Sequence, residues 1–342
     1  MSAFHATDPT VRARLLSISA KYRNGSLHRS AIQLGVTVGL WAASYAIGLR
    51  LMQYSPWAGT LGALVTAVFV VRLFMIQHDC GHGSFFQSRR ANDWLGFWLG
   101  VITMTPYRCW RRFHAQHHVN SGNLDRRGLG DIFTLTTVEY RQLSPRQQRL
   151  YQLYRHPLVL FVLGPPLLFI LRQRTTYKVP HDWTAERRSV HLTNLVLVAG
   201  ALLVLLLASQ PLLVFAFHLL TMALAAIIGV WLFYVQHQFP QTYWRSGDEW
   251  EPWRASMEGA SYYELPAVLR WLTANIGLHH IHHLDARIPN YRLYECFTKH
   301  EEFAHPPRLG LRESLGCIRL KLWDEERRSM VPISSQSSHM GA

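Results

Sequence analysis

Histidine occurs 19 times in this chain of 342 residues, and much of it is concentrated in three short runs. They read His78-Asp79-Cys80-Gly81-His82, His114-Ala115-Gln116-His117-His118 and His279-His280-Ile281-His282-His283. On a helix, spacings of three and four residues bring side chains to one face, so each run is expected to present two or three imidazoles to a single point. That arrangement holds a metal ion. His280 points about 100° away from His279 on a helix and reads as a supporting or surface residue.

The elements that would carry these runs are apolar. Four stretches are long enough to cross about 30 Å of hydrocarbon, namely residues 31–51, 57–77, 192–209 and 212–236. They form two tight hairpins whose outer turns, Arg50 to Pro56 and Ser209 to Pro211, hold one of the 35 Lys and Arg residues. Basic residues stay on the cytoplasmic side, so both termini and the long central loop are placed there. Arg72 lies within the second span, near its inner end, where a long side chain is expected to reach toward lipid headgroups. The second span is about 31 Å long at about 1.5 Å per residue, so His78 and His82 emerge just past it on the cytoplasmic side. The fourth span ends at Gln236 and puts His237 at the matching height. Residues 94–104 and 157–171 are apolar but too short, or too interrupted by Pro165 and Pro166, to span well, and are read as interfacial or re-entrant. Trp41, Trp57, Trp231 and Tyr234 near span ends suggest an aromatic belt.

His78, His82, His114, His117, His118, His237, His279, His282 and His283 therefore reach one cytosolic site. Nine ligands exceed what one ion with an open position takes, which implies two metals. Imidazole suits zinc and iron alike, but only iron exchanges electrons, and the residues alone leave two zinc ions open. His218 lies too far up the fourth span to join, and Asp79, Asn120, Asp125, Asp131 and Asp285 are candidates to orient the imidazoles from behind.

Composition agrees with a membrane setting. Charged residues are 16% and hydrophobic ones 49% of the chain, where a soluble domain carries about a quarter charged residues. That balance excludes disorder and coiled coil. The net charge of +14 flanks the spans and meets no nucleic-acid motif, so positive-inside topology explains it and no nucleic-acid partner is expected. Cys80, Cys109, Cys296 and Cys317 show no CxxC pairing and fit a reducing compartment.

The run HDCGHGSFF at His78 to Phe86, the HAQHH box at His114 to His118 and HHIHHLDARIPNYRL at His279 to Leu293 together resemble the membrane fatty-acid desaturase family. The tail of the third box, with Ile288-Pro289 and Tyr291, is similar to the branch that includes Δ12 (omega-6) acyl-lipid desaturases. The resemblance implies that the nine histidines are ligands of two iron ions cycling between ferrous and ferric states, with O2 as co-substrate. It also implies a cis double bond introduced into a membrane acyl chain, at Δ12 of a monounsaturated C18 lipid. An Asn expected in the fourth span is replaced by Phe233, with Gln236 and Gln238 as candidates for a tenth position.

The expected architecture is a single-domain, all-α integral membrane protein over residues 1–342, with four transmembrane helices and a cytosolic helical cap over the metal site. A multi-pass protein of a bacterial inner membrane is the expected location. No HPGG-type cytochrome b5 signature, CxxC redox motif or dinucleotide Gly fingerprint is present, so a separate ferredoxin or cytochrome b5 must deliver electrons. Such carriers are commonly acidic and suit a basic face. Carotenoid ketolases and fatty-acyl hydroxylases resemble the same scaffold and stand as alternative activities. A non-catalytic metal-binding or transport protein is the alternative of another class, but transport would place polar ligands within the bilayer rather than at its edge.

Overall fold

The computed structural model describes residues 9–128 and 130–335. Helix α1 (Pro9–Ala20) precedes α2 (Leu27–Tyr54) and α3 (Pro56–His82), which form an antiparallel hairpin. Ser55 serves both ends of that hairpin: its N–H bonds the Leu51 carbonyl to finish α2, and its hydroxyl accepts from Ala58 N–H to start α3. Pro56 follows at the first helical position, where a missing N–H costs nothing. Two further helices, α4 (Arg89–Ile102) and α5 (Tyr107–Asn120), cross beneath the histidine-bearing end of α3.

The central segment contains β1 (Leu135–Thr136), α6 (Thr137–Gln142) and α7 (Pro145–Tyr154). Wide helical turns follow over residues 158–163 and 167–171, on either side of α8 (Gly164–Pro166), and a tight turn over 172–174 closes the run, which is bent 52° from α7. Such a bend belongs to a broken span or a re-entrant loop. The run packs on α10 (Pro211–His237), with Phe161 against Trp231 and Tyr234 at centroid distances of 5.3 and 4.8 Å. Before α10 comes α9 (Thr184–Leu207), whose leucines are largely exposed. The remaining elements are α11 (Pro252–Glu258), β2 (Tyr262–Tyr263), α12 (Ala267–Leu272), α13 (His279–Leu284), α14 (Asn290–Lys299), β3 (Arg308–Leu309), α15 (Leu311–Gly316), β4 (Leu322–Asp324) and β5 (Ser329–Val331).

Four helices, α2, α3, α9 and α10, are long and apolar enough to cross a membrane, matching the four apolar stretches. The chain is thus a helical membrane protein. Helix α3 lies at the centre of the bundle, between α2 and α10. Its backbone meets α2 at Gly62, where a Cβ would come within 2.4 Å of Gly48 Cα. Hydrocarbon gives no hydrophobic drive between helices, so close backbone approach of this kind is what packs them. Ala67, Val70 and Val71 of α3 meet Met222 and Ala225 of α10 in the same core. All four cysteines are buried and unpaired.

Two short sheets, ordered β1-β4-β5 and β2-β3, accompany the helices and draw the C-terminal segment onto the central loop. Two expectations about single residues need correction. Arg72 does not reach out to headgroups: it is 5% exposed and donates to Thr37 Oγ1 at 3.2 Å and to the Trp271 carbonyl, with its guanidinium over the Trp271 ring. Neutral acceptors from α2 and α12 satisfy it inside the protein. Tyr234 is fully buried, its hydroxyl bonding the Cys317 and Leu320 carbonyls, so it is a core residue and not part of an aromatic belt. The terminal residues placed in the cytoplasm by the charge pattern lie outside the described residues.

Candidate metal centre

Four elements deliver the nine histidines. The last turn of α3 carries His78 and His82, and α5 carries His114, His117 and His118. His237 is the final residue of α10, and α13 carries His279, His282 and His283. Helix α13 is only six residues long and is set by neighbours. Gln236 Nε2 donates to the Ile276 carbonyl at 3.1 Å, which ties the end of α10 to the chain entering α13. Asp79 Oδ2 accepts from Asn290 N–H and Nδ2, each at 2.7 Å, which ties the end of α3 to the chain leaving it.

The donor atoms form two groups, within each of which all lie within 4.8 Å of one another. One contains His78, His82, His114, His118 and His282; the other contains His117, His237, His279 and His283. In the first, Nε2 atoms approach at 3.1 Å along His82, His114, His118 and His282. In the second they approach at 3.0 to 3.1 Å along His117, His237, His279 and His283.

This partition corrects the expectation that each run converges on one point. Every pair spaced by four stays together: His78 with His82, His114 with His118, His279 with His283. The third member of each longer run crosses over, His117 to the four-histidine group and His282 to the five-histidine group. On a helix the i+4 side chain turns about 40° from residue i and the i+3 side chain about 60° the other way, so the two diverge by about 100°.

The four-histidine group is buried and the five-histidine group is partly open at His82, His114 and His118; desolvation first and neighbouring imidazoles second push the pKa values of His114, His118, His279, His282 and His283 well below the ordinary 6.5. The rings are therefore neutral, each with a lone pair to offer. Imidazole nitrogens facing one another at about 3 Å in a buried cluster need a cation or shared protons between them. His78 Nδ1 and His279 Nδ1 are buried without a hydrogen-bond partner among the described residues. An all-nitrogen donor set of this kind fits a transition metal in each group. Five and four donors both leave a six-coordinate ion room for something else.

Of the five candidate orienting residues, one does so by hydrogen bonding: Asp131 accepts from His117 Nδ1. His237 Nδ1 is turned to the Gly259 carbonyl at 3.4 Å instead. Asp79 binds Asn290 through Oδ2 while its Oδ1 lies 3.5 Å from His78 Nδ1, Asp285 binds Ser19 and Arg23, Asp125 binds the Gly247 amide, and Asn120 bonds back to Gln116. Of the two candidates for a tenth position, Gln238 Oε1 accepts from Thr134 and Arg155, while Gln236 is held through its Nε2 on the Ile276 carbonyl. The Phe233 ring packs on His117 and His237 at 5.1 and 5.2 Å. His280 is buried rather than at the surface, between Tyr262 and Phe297, and burial pushes its pKa down to about 3. His218 lies up α10 beside Tyr45, away from both groups. Trp110, which no spacing singled out, stacks on His114 with centroids 4.7 Å apart.

The family described as "Fatty acid desaturase" matches residues 55–314, a stretch that contains all nine histidines. A protein named "Fatty acid desaturase" from Bacillus subtilis is 40% identical over 299 residues, covering 86% of this chain and 81% of its own. The "sn-1 oleoyl-lipid 12-desaturase" of Synechocystis sp. is 24% identical, covering 83% and 80%. An "sn-1 acyl-lipid omega-3 desaturase (ferredoxin)" of the same organism is 27% identical, covering 78% and 74%. Matches of this extent show that the chain belongs to the fatty acid desaturase family of oxidoreductases.

Proposed function

We propose that this protein is an O2-dependent di-iron desaturase that introduces a cis double bond into a membrane fatty-acyl chain, with His78, His82, His114, His118 and His282 holding one iron and His117, His237, His279 and His283 the other. The observation that carries this reading is the division of nine imidazoles, six of them buried, into two metal-sized groups with no carboxylate among them. Iron held there would supply, with O2 and electrons from a donor, the redox chemistry needed to take two hydrogens from adjacent methylenes, for which side chains have no comparable oxidant.

The chain's own residues bind, orient and exclude. Desolvation lowers the pKa values of His114, His118, His279, His282 and His283, which keeps these imidazoles available as donors. Asp131 holds His117 through Nδ1, leaving Nε2 directed inward. The packed helix ends of α10 and α13 keep the four-histidine group out of water, which would limit side reactions there. With the basic connections on the cytoplasmic side, the centre faces the cytosol at the inner surface of a bacterial membrane. Electrons then come from a separate ferredoxin or cytochrome b5, and the parenthesis in the Synechocystis relative's name favours ferredoxin.

The Δ12 position in a monounsaturated C18 acyl lipid is supported by the resemblance of the third box and by the oleoyl-lipid relative. Expression in a host without polyunsaturated lipids, followed by mass spectrometric location of new double bonds, tests it. A second double bond at Δ12 of oleoyl lipid is expected. A new bond in saturated chains would refute the position, and an oxygenated product would refute desaturation. Reporter fusions at Ser144 and Arg188 should both read cytosolic; opposite sides would overturn the topology.

A further inference from the structure

Arg155, at the end of α7, is 1% exposed, yet every acceptor its guanidinium reaches is uncharged. Nη1 donates to the Phe133 carbonyl and the Thr134 hydroxyl, both at 3.2 Å. Nη2 donates to Gln238 Oε1 at 3.0 Å and to the Leu320 carbonyl at 2.9 Å. Nε finds no partner among the described residues. A buried charge without a counter-charge is costly, and an apolar side chain of similar length would fill the space more cheaply. What an apolar residue lacks is a rigid fork of donors able to hold several segments in one geometry.

Two of those segments, at residues 133–134 and 238, lead to one of the two histidine groups. Phe133 and Thr134 continue the loop that starts at Asp131, the residue that accepts from His117 Nδ1. Gln238 directly follows His237. His117 and His237 in turn face each other, Nε2 to Nε2, at 3.1 Å in the four-histidine group. None of the guanidinium's hydrogen bonds goes to the segments carrying the five-histidine group. We infer that Arg155 is a positioning residue for the metal of the four-histidine group, fixing the loop behind His117 and the helix end behind His237 as one unit. This rests on the reading of the nine histidines as ligands of two metals.

The test is metal content and metal affinity of the purified full chain in detergent, by elemental analysis and chelator competition with iron. Wild type and Arg174→Met should each hold about two iron per chain; Arg174 is also largely enclosed but bonds Asn194 and the Met104 carbonyl, away from the histidines. Arg155→Met should hold about one, and Arg155→Lys should bind the second iron about 10- to 100-fold more weakly, with the first unchanged. If Arg155→Met is not recovered folded, Gln238→Leu removes the acceptor that follows α10, for Arg155 and for Thr134 alike, and should weaken the second iron in the same way. A folded Arg155→Met protein with two irons at wild-type affinity, or an equal loss of both, would overturn the inference. Fewer than two irons in wild type would instead remove the ligand reading beneath it.

Discussion

His118 and His283 are stacked, their ring centroids 4.2 Å apart and their planes within 14°, although one belongs to the five-histidine group and the other to the four-histidine group. The two groups therefore share a wall made of two of their own donors. A disturbance of either ring is felt on both sides.

This wall separates the effects of neighbouring residues. His282→Ala should remove the metal of the five-histidine group and leave the other, while His279→Ala should do the reverse. Replacing His118 or His283 should alter both, because the surviving ring loses its packing partner. Iron content with Mössbauer spectra of iron-loaded protein reads this directly; a His282→Ala protein that loses the same iron as His279→Ala would contradict the partition.

Asp131→Asn keeps the size of the side chain but removes the charge that orients and strengthens His117. Loss of such an outer partner typically weakens metal binding by about 10- to 100-fold. Only one of two metals should show that loss in chelator titrations.

The metal-free protein should lose stability as acid is added. The folded-state pKa values of His114, His118, His279, His282 and His283 lie well below 6.5, and that of His280 at about 3. Below pH 6.5 the unfolded chain takes up protons that the folded chain refuses, so stability is full above about 6.5 and falls as pH drops toward about 3. Thermal melts of chelator-treated protein should show a lower melting temperature at about pH 5 than at about pH 7.5. A flat profile would mean that the imidazoles are protonated in the fold.

Gly62→Val should pry α2 from α3, since even a Cβ would lie 2.4 Å from Gly48 Cα. Overpacking of this kind costs about 1–3 kcal/mol. Gly35, with nothing within 4 Å of its would-be Cβ, is the contrast: Gly35→Ala should be neutral or stabilising by about 1 kcal/mol through helix propensity. Thermal unfolding of both variants in one detergent compares them.

Much of this protein is legible in order of residues alone, because two of its signals are local. An apolar run long enough to span hydrocarbon declares a membrane helix whatever its neighbours do, and all four spans correspond to such runs. Histidines three and four apart declare a helix face rich in metal donors, which covers eight of the nine residues that meet; His237 stands alone in sequence and is placed by the end of the fourth span.

Which histidine meets which was decided by tertiary structure. The 100° between His117 and His118 is a property of any helix, but whether it separates two metals or wastes one ligand depends on where α10 and α13 stand relative to α5. The supports are decided there too. Asp131 was one of several interchangeable carboxylates until the central loop folded against α5, and Arg155 carried no signal at all, since a buried cation bound only to carbonyl, hydroxyl and amide oxygens has no charge partner to betray it in sequence. Arg72 failed in the opposite sense: its place near a helix end suggested headgroups, and only the position of α12 offered the Trp271 carbonyl instead. Local periodicity specifies what a segment presents; long-range packing alone specifies to whom.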